Sequence, residues 1–547
     1  MLVLVFPLLG GGNAAGALQV EHAIRLVEIT GERGVRFVHD PGNLSGRALE
    51  GFPLPAIMGA GAALFDANGD GRLDLYLIQA GPLPEHRSVA GVDGLPGNRL
   101  YLQQPDGTVR DASEASGLRD SGYGVGVAVG DVDGDGDPDV FVSNLGPDAL
   151  YLGEAERFTR AAFPETASWS TAAAFCDFDG DSDLDLYVGG YLVPEPGKEC
   201  VSASGEPDFC SPQSLPYVRD SLYENRGGGN FEDVSIRRGI AALRRPALGV
   251  ICHDFTGDGR PDFYVANDGE PNVLWEAQPD GTFEDVALLL GTAMNGQGRP
   301  EAGMGVVLGD PDGDLDLDLF VTHLRAQTNT LYRNVGAGFV DDTPAAGLAL
   351  PSLPLTGFGV GFLDIENDGD LDLALVNGAV AMEGGISRTG GLDAYAEPAQ
   401  VFTGDGAGSF VEVAVNGFTD RPVVGRALVT GDWDRDGDLD LVTTEVGGPA
   451  RLFENRSVRL GGYLIVKPRE EGRPSFGAVV TLETNLGAVV RPLNPEAGYL
   501  ASNEPIVHFG LPEGAQMTGI RVLWPDGTRT SHPAPLPDTR ITLHRPR

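Results

Sequence analysis

Short apolar runs and acidic loops alternate along most of the chain. A glycine-rich apolar run such as Gly124–Val129 leads into an acidic loop, and a second apolar run, Val140–Val142, follows it. A third run carries a Leu-Tyr pair, as at Leu150-Tyr151, and a fourth reads like Phe231–Ser235. Four short strands separated by turns predict one antiparallel sheet, and radial repetition of such sheets is typical of a β-propeller. The acidic loop occurs seven times, so the pattern predicts an all-β, seven-bladed propeller.

The N-terminal part of the chain offers a strand that the last repeat lacks. Leu26–Val35 has the same order of apolar and polar positions as Phe231–Ile240, which is predicted to be an outer strand. The loop that begins at Asp432 is followed by second and third strands but by no outer strand. We therefore expect the N-terminal strand to complete the seventh blade and close the ring, which removes an open sheet edge.

The repeat stops beyond Asn455. Residues 458–547 contain further strand-like runs, such as Ala478–Leu482 and Gly519–Trp524, and a turn at Pro525-Asp526-Gly527. Short apolar runs separated by turn residues predict a small C-terminal β-domain, of sandwich-like form.

Each acidic loop has the form Asp-x-(Asp/Asn/Thr/Glu)-x-Asp-x-x-x-Asp. Oxygens at loop positions 1, 3, 5 and 9, with a carbonyl at position 7, can converge on one ion, and such an all-oxygen shell suits Ca²⁺. No Cys or His stands at a ligand position, so zinc or copper would be poorly matched, and Mg²⁺ gives up its water less readily. Position 12 carries no Glu in any copy, which excludes an EF-hand.

We number the loops 1 to 7 in chain order. The predicted metal ligands are Asp66, Asn68, Asp70 and Asp74 in loop 1; Asp131, Asp133, Asp135 and Asp139 in loop 2; Asp177, Asp179, Asp181 and Asp185 in loop 3; Asp254, Thr256, Asp258 and Asp262 in loop 4; Asp310, Asp312, Asp314 and Asp318 in loop 5; Asp364, Glu366, Asp368 and Asp372 in loop 6; and Asp432, Asp434, Asp436 and Asp440 in loop 7. Thr256 is the poorest donor, so loop 4 is predicted to bind least well. Ser182 and Leu315 stand at position 6, where glycine is expected. Seven copies of one pattern favour up to seven Ca²⁺ sites over solvated acidic turns.

The overall charge limits the classes of partner. The net charge is −41, and an acidic excess argues against nucleic acid or an anionic membrane surface. No stretch beyond the N-terminus is long and apolar enough to span a membrane.

The N-terminus resembles an export signal. Leu2–Gly10 is apolar and is followed by Ala15-Gly16-Ala17, which fits a cleavage site, although no Lys or Arg precedes the run. The alternative is a plain apolar tail or a misplaced start. The expected organisation is a signal peptide at residues 1–17, the propeller at residues 18–457 and the β-domain at residues 458–547. The expected location is secreted or extracytoplasmic, in the periplasm or at the cell surface, where calcium is abundant.

The four cysteines fall into two pairs. Cys200 and Cys210 bracket a segment without strand pattern, and a disulfide between them would stabilise this loop by roughly 3 kcal/mol. Cys176 and Cys252 lie just before loops 3 and 4. They could bridge neighbouring repeats, but buried free thiols are the favoured interpretation.

No arrangement in the sequence demands catalysis. The chain has no Gly-x-Ser-x-Gly elbow and no phosphate-binding glycine loop with Lys. His253 and His323 could act as bases at the face of the ring, but packed or surface roles are favoured, and His508 is interpreted as structural. Trp169, Trp275 and Trp433 could line a carbohydrate surface, with core packing preferred.

Three functions remain open at this point. The first is a secreted binding or adhesion protein, in which segments 192–218 and 378–400 would contact an extracellular protein or glycan. The second is a polysaccharide-active enzyme of lyase or dehydratase type, which needs a cluster of His, Tyr, Arg or Lys beside the channel. The third is a structural component of the cell envelope.

The motifs together resemble a known family. The loops resemble the FG-GAP or VCBS calcium repeats of integrin alpha-subunit propellers. The C-terminal region resembles the ASPIC/UnbV domain through these motifs: Phe476-Gly477-Ala478-Val479-Val480, Gly498-Tyr499-Leu500, His508-Phe509-Gly510-Leu511 and Trp524-Pro525-Asp526-Gly527. The combination is similar to the cartilage acidic protein-like family. This resemblance implies a seven-bladed fold, calcium in the loops and export, and it implies no particular biochemical activity.

Overall fold

The computed structural model describes residues 24–42, 52–83, 97–164, 169–202, 205–382 and 392–546. The predicted signal peptide at residues 1–17 lies outside the described residues. Strands dominate, and the helices are single turns: α1 (Thr30–Arg33), α2 (Pro55–Met58), α3 (Ser113–Ser116), α4 (Ser235–Arg238), α5 (Ala287–Leu290) and α6 (Ala349–Ser352), with 3-10 turns at Pro212–Ser214, Ile240–Ala242 and Leu392–Tyr395. In the described ranges, no helix combines the length and apolar character that crossing a membrane requires.

The described part of residues 24–457, called the repeat region below, forms seven sheets of four antiparallel strands each. Sheets are numbered with the loops, because each loop connects the first two strands of its sheet. The strands are β1 (Leu26–Glu28); β2 (Ala62–Phe65), β3 (Asp74–Leu77), β4 (Arg99–Gln103) and β5 (Val109–Asp111) in sheet 1; β6 (Tyr123–Gly130), β7 (Asp139–Leu145), β8 (Ala149–Glu154) and β9 (Arg157–Arg160) in sheet 2; β10 (Ser170–Cys176), β11 (Asp185–Gly190), β14 (Ser221–Asn225) and β15 (Phe231–Asp233) in sheet 3, with the hairpin β12 (Cys200–Val201) and β13 (Pro207–Asp208) between them; β16 (Ala247–His253), β17 (Asp262–Asn267), β18 (Val273–Ala277) and β19 (Phe283–Asp285) in sheet 4; β20 (Val306–Gly309), β21 (Asp318–Val321), β22 (Thr330–Asn334) and β23 (Phe339–Asp341) in sheet 5; β24 (Gly357–Leu363), β25 (Asp372–Asn377), β26 (Gln400–Gly404) and β27 (Phe410–Val413) in sheet 6; and β28 (Gly425–Gly431), β29 (Asp440–Glu445) and β30 (Arg451–Asn455) in sheet 7.

Sheet 7 takes its fourth strand from the N-terminal part of the chain. β1 pairs antiparallel with β30, so that Leu26 lies opposite Asn455 and Glu28 opposite Phe453. The helical turn α1 follows β1 in the same way that α4 follows β15, and both turns end at a glycine in the left-handed conformation. The sequence similarity between the two segments therefore reflects the same local structure.

The first strand of each sheet contacts the first strand of the next sheet. These contacts join β2 with β6, β6 with β10, β10 with β16, β16 with β20, β20 with β24, β24 with β28, and β28 with β2. Because neighbouring sheets cover both faces of these strands, a strand such as β6 is buried over its whole length. This explains why the first strands are continuously apolar or small rather than alternating.

Residues 458–546, called the tail below, form two further sheets. One contains β31 (Gly461–Glu470), β32 (Arg473–Pro474), β36 (Val507–Pro512) and β39 (Thr539–His544), and the other contains β33 (Val479–Thr484), β34 (Gly487–Pro492), β37 (Met517–Leu523) and β38 (Arg529–Pro533). Their apolar side chains, among them Val466 and Trp524, share one buried cluster with Phe141 and other residues of sheets 2 and 3. The described part of the tail is thus all-β and packs directly on the repeat region.

One segment of the tail, residues 495–503, reaches the first strands of the repeat region. Its strand β35 (Ala501–Ser502) pairs in parallel with β2 and becomes a fifth strand of sheet 1. Gly498 and Val306 exchange two backbone hydrogen bonds of 2.7 and 3.0 Å. Tyr499 and Leu500 are buried in a cluster with residues that include Met58 and Phe358. The tail is therefore anchored by backbone pairing as well as by apolar burial.

Both cysteine pairs form disulfides. Cys200 and Cys210 are joined as predicted. Cys176 and Cys252 are joined as well, so the prediction of free thiols at these positions is wrong. Cys176 is the last residue of β10 and Cys252 the penultimate residue of β16, and these adjacent first strands bring the two Cα atoms to 6.3 Å.

The two long insertions of the repeat region contact each other. The carboxylate of Asp208 accepts hydrogen bonds from the Tyr395 hydroxyl at 2.7 Å and from the Met382 amide at 2.8 Å. The rings of Phe209 and Tyr395 also pack edge to face, with centroids 5.3 Å apart. Part of each insertion is therefore committed to a contact within the chain.

Candidate metal centres

All seven loops have the same backbone shape. The residues at positions 4 and 6 all have positive φ: Gly69, Gly134, Gly180, Gly257, Gly313, Asn367 and Arg435 at position 4, and Gly71, Gly136, Ser182, Gly259, Leu315, Gly369 and Gly437 at position 6. Ser182 and Leu315 adopt the left-handed conformation at a cost of about 1 kcal/mol each. The replacement of glycine at these two positions therefore leaves the shape of loops 3 and 5 unchanged.

The carboxylate at position 1 organises the turn. In every loop its Oδ2 accepts a hydrogen bond of 2.8–3.2 Å from the backbone amide of position 6. The position 5 carboxylate accepts a bond from the amide of position 7 in the same way. These bonds turn each loop around its own carboxylates.

The carboxylate at position 9 ties the loop to its sheet. These seven aspartates are at most 3% exposed. Oδ1 of each accepts a bond from a backbone amide on or beside the third strand, at 2.7–3.0 Å. In six loops Oδ2 accepts a second bond from the amide of position 2. The aspartate at position 9 of all seven loops thus has a structural role in addition to the predicted metal contact.

Loop 5 departs from this pattern at one atom. Position 2 is Pro311, which has no amide hydrogen. Oδ2 of Asp318 consequently has no hydrogen-bond partner among the described residues. A buried carboxylate oxygen without a donor is costly unless a cation lies beside it.

Burial makes these acidic groups difficult to ionise on their own. It raises the pKa of Asp74, Asp139 and Asp262 to about 7 and that of Asp318 to about 8. The pKa values of Asp185, Asp372 and Asp440 lie well above the usual range for the same reason. Nearby carboxylates of the same loop raise them further. A bound divalent cation would remove this repulsion.

Four loops bring three carboxylates close enough for one ion. The groups are Asp131, Asp133 and Asp139; Asp177, Asp179 and Asp185; Asp310, Asp312 and Asp314; and Asp432, Asp434 and Asp440, with ligand atoms within 4.8 Å of one another in each. Oδ1 of Asp432, like Oδ2 of Asp318, is buried without a partner in the described part of the chain. All-oxygen donor sets with unsatisfied buried oxygens fit Ca²⁺, which would supply the missing positive charge. These are loops 2, 3, 5 and 7, in which all four predicted ligands are aspartates.

Loops 1 and 4 differ from the other loops by an arginine at position 7. Arg72 and Arg260 stand at position 7, and each bonds the position 5 carboxylate of its own loop, Asp70 or Asp258. Each guanidinium also donates to a carbonyl at the end of the third strand, at 3.2 and 2.8 Å. The sequence predicted weak binding for loop 4 alone, because of Thr256. Loop 1 has the same pairing of a position 7 arginine with the position 5 carboxylate. The shared signal was arginine at position 7.

Among the described residues, the histidines and tryptophans that the sequence singled out do not form an open cluster. His323 is fully buried, with Nδ1 donating to the Thr328 carbonyl at 2.9 Å. The ring of His253 packs against Phe255, and burial lowers the pKa of His253 to about 4. Trp169, Trp275 and Trp433 are at most 3% exposed, which agrees with core packing.

Sequence reasoning missed the residues of the tail that touch the loops. Arg473, Arg491 and Arg540 are directed at loops 3, 6 and 7, and His508 also contacts loop 7. A signal was present, because Arg491 follows Val489-Val490 and Arg540 precedes Ile541 in strand-like runs. A charged residue inside an apolar strand needs a partner of opposite charge or a carbonyl when it is buried.

Comparison with known families matches two regions of the chain. The FG-GAP-like repeat model matches residues 66–142, 136–188 and 254–321, and the ASPIC and UnbV model matches residues 468–547. The matched repeats include loops 1–5, and the last match ends at the final residue of β21, Val321.

Comparison with curated proteins finds that the chain is similar to cartilage acidic protein 1 of several animals. The chain is 28% identical to cartilage acidic protein 1 of Mus musculus over 418 residues, which is 65% of this chain and 61% of that protein. It is 25% identical to cartilage acidic protein 1 of Homo sapiens, over 71% of this chain and 47% of that protein. The chain therefore spans about half to three fifths of the length of these relatives.

Solved structures superpose only weakly. A lectin of Agrocybe aegerita that recognises non-reducing terminal N-acetylglucosamine has a TM-score of 0.37 at 14% identity, covering 65% of this chain and 87% of the lectin. Sqt1 of Saccharomyces cerevisiae has a TM-score of 0.39 at 8% identity, covering 72% of this chain and 95% of Sqt1. Superposition at this level identifies no function.

Proposed function

We propose that this chain, which carries FG-GAP-like repeats and an ASPIC and UnbV domain, is an extracellular calcium-binding protein with a non-catalytic binding or adhesion role. Its partner is an extracellular protein or glycan. A closed seven-bladed propeller spans residues 18–457, and a small C-terminal β-domain spans residues 458–547. Calcium binds at positions 1, 3, 5 and 9 of the loops and stiffens the blades.

The contacts between first strands support the ring. Each first strand touches the next, and β28 of sheet 7 touches β2 of sheet 1. The pairing of β1 with β30 leaves sheet 7 with strands from both ends of the repeat region. A ring closed in this way protects every sheet from edge pairing with another molecule.

The observation that carries the calcium proposal is Oδ2 of Asp318. This oxygen belongs to a fully buried carboxylate and lacks the donor that the other six loops provide. Loop 5 also brings Asp310, Asp312 and Asp314 together. A divalent cation would pair with the unsatisfied oxygen and offset the repulsion among the four carboxylates.

Extracellular location is supported by the two disulfides. Disulfides form and persist in oxidising compartments, and both cysteine pairs of the chain are joined. Calcium concentrations outside the cytosol are also high enough to fill sites of modest affinity.

The enzyme alternative places catalysis beside the central channel. In this structure Tyr499 and Leu500 of the tail lie in a buried apolar cluster with residues of several sheets, and His323, two residues after β21, is fully buried. This arrangement favours a binding protein over a polysaccharide-active enzyme. The alternative of a structural envelope component predicts affinity for neither glycans nor proteins.

Metal analysis and thermal unfolding test the proposal. Protein dialysed against metal-free buffer should retain at least the calcium of loops 2, 3, 5 and 7, and a chelator should lower the melting temperature. A site saturated a hundredfold above its dissociation constant contributes about 2.7 kcal/mol. Calcium should restore the original melting temperature, and magnesium should not.

A matched pair of variants makes this test specific. Asp133→Asn removes a proposed ligand of loop 2, whereas Asp137→Asn removes the same charge from position 7 of that loop, where only the carbonyl is expected to bind. We expect the first variant to lose one equivalent of calcium and the second to keep it. Protein without bound calcium, and with a melting temperature that ignores the chelator, would contradict the proposal. Glycan and protein arrays, combined with a product assay, then separate binder from enzyme.

A further inference from the structure

The tail contacts three of the metal loops at the same backbone atom. The carbonyl of position 6 accepts a hydrogen bond from Arg473 in loop 3, from Arg491 at 3.1 Å in loop 6, and from Nε2 of His508 at 2.9 Å in loop 7. The three donors lie on different strands or turns of the tail and are all buried. Such repetition indicates that the tail recognises a particular conformation of the loop.

Position 6 is the residue whose orientation depends most directly on the folded loop. Its φ is positive, its carbonyl accepts the bond from the tail in these three loops, and its own amide donates to the position 1 carboxylate. Position 1 is a proposed calcium ligand. The tail donor, the position 6 peptide, the position 1 carboxylate and the ion would therefore form one continuous chain of contacts.

Loop 7 has a more direct connection. Nη2 of Arg540 in the tail lies 2.6 Å from Oδ2 of Asp432, and Nη1 lies 3.2 Å from Glu504. Glu504 in turn accepts a bond of 2.9 Å from the Asp432 amide. The tail thus fixes Asp432 from two sides through Oδ2 and the backbone. Oδ1 is left without a partner among the described residues.

We propose that the tail is a calcium-dependent clamp, with Arg540 as a positioning residue for the loop 7 site. The inference rests on the proposed binding of calcium to these loops. Arg540 holds one oxygen of Asp432 and leaves the other oriented for the ion. Calcium in loops 3, 6 and 7 in turn fixes the carbonyls that Arg473, Arg491 and His508 bind.

Thermodynamic linkage makes this coupling reciprocal. If calcium favours the docked tail, then docking raises the affinity of the loops for calcium by the same factor. Removal of calcium should weaken the contacts around Gly498–Ser502, where the tail pairs with β2 and Val306. Undocking would then expose Tyr499, Leu500 and the apolar residues that surround them.

Hydrogen exchange measured by mass spectrometry on the full chain tests the clamp without any substitution. On chelation, we expect exchange of residues 495–504 to become at least tenfold faster, and calcium should reverse this. The internal control is β37, Met517–Leu523, which pairs only with other strands of the tail and should remain protected. Exchange of residues 495–504 that does not change on chelation, in protein that binds calcium, would overturn the clamp alone. Absence of calcium binding would overturn both the clamp and the proposed function.

Substitution of Arg540 tests the positioning role. Arg540→Met should weaken one calcium site by roughly tenfold, as measured by competition with a chromophoric chelator. Arg529→Met is the matched control, because it removes an exposed arginine from the same tail. Tighter calcium binding by Arg540→Met would mean that the guanidinium competes with the ion, and this result would overturn the proposal. Arg491→Met gives a second measurement should Arg540→Met fold poorly, with faster exchange of residues 495–504 expected at limiting calcium.

Discussion

The hydroxyl of Tyr499 donates a hydrogen bond to the backbone carbonyl of Met58, at an oxygen–oxygen distance of 2.8 Å. These residues are 441 positions apart in the chain. Tyr499 is fully buried, and its ring packs edge to face on Phe358 with centroids 4.8 Å apart. This single side chain from the tail therefore contacts the segment before sheet 1 and the first strand of sheet 6.

Substitution of Tyr499 separates the contribution of its hydroxyl hydrogen bond from that of its ring packing. Tyr499→Phe keeps the ring and loses the hydroxyl, so the free energy of unfolding should fall by about 1 kcal/mol. Tyr499→Ala also loses the packing on Phe358 and should cost about 3–5 kcal/mol. Calorimetry at saturating calcium measures both values. Equal losses for the two variants would contradict the view that ring packing dominates.

Replacement of Pro311 should stabilise the calcium-free protein. Pro311→Ala restores the amide at position 2 of loop 5, which can donate to Oδ2 of Asp318 as its counterparts do in the other loops. At a pH above the Asp318 pKa of about 8, we expect a net gain of about 1 kcal/mol, because a hydrogen bond to a charged group outweighs the lost rigidity of proline. Urea unfolding in the presence of a chelator measures this gain.

The control for this substitution is Pro138→Ala. Pro138 occupies position 8 of loop 2, so its replacement loses the rigidity of proline without giving any carboxylate a new donor. The control should therefore be neutral or slightly destabilising. A gain of the same size in both variants would show that the Asp318 bond is not the cause.

The two disulfides should differ in their contribution to stability. Cys176 and Cys252 are separated by 76 residues, whereas Cys200 and Cys210 are separated by 10. In the loop-entropy model the longer closure stabilises the fold by about 4 kcal/mol and the shorter by about 3 kcal/mol. Because the first pair also joins sheets 3 and 4 beside loops 3 and 4, replacing both of its cysteines by Ala should cost more. Thermal unfolding of the two double variants measures the difference, and the reverse order would contradict the prediction.

Glu496 should make stability depend on pH. Burial raises its pKa from 4.5 to about 7, although Asn494 and the Cys252 amide donate hydrogen bonds to it. The folded state therefore binds the proton more tightly than the unfolded state. The corresponding stability is fully present below pH 4.5 and is lost as the pH rises through about 7.

The variant Glu496→Gln isolates this effect. Glutamine stays neutral, so the variant should gain relative to the parent protein as the pH rises from 4.5 to 7. The gain should reach roughly 3 kcal/mol, since each pKa unit corresponds to about 1.4 kcal/mol. Unfolding curves at several pH values, all at saturating calcium, provide the measurement. A difference between the two proteins that does not vary with pH would contradict the assignment.

Much of the repeat was predictable because its signals are local. The distance from position 1 to position 9 is fixed by the turn itself. Asp139 and Asp440 can therefore be assigned to position 9 from neighbours in the same loop. The similarity of Leu26–Val35 to Phe231–Ile240 also predicted the pairing of β1 with β30. Both kinds of inference use the order of apolar, acidic and turn residues within a short window.

Other features depended on residues that are far apart in the chain. The sequence placed Cys176 and Cys252 before two loops, but only the packing of β10 against β16 brings them together. Likewise, nothing near Arg540 identifies Asp432 as its partner. Each loop could be recognised separately, whereas the position of the tail over several loops could not.

The sequence by itself determined the seven loops, their strands and the all-β character of the tail, because hydrophobic periodicity and turn chemistry act between close neighbours. The tertiary structure decided which strand ends share a disulfide, where Tyr499 is buried, and which loop atoms the tail contacts. These outcomes depend on the packing of whole sheets against one another. Their geometry is set by the sum of many distant contacts, and no short stretch of sequence contains it.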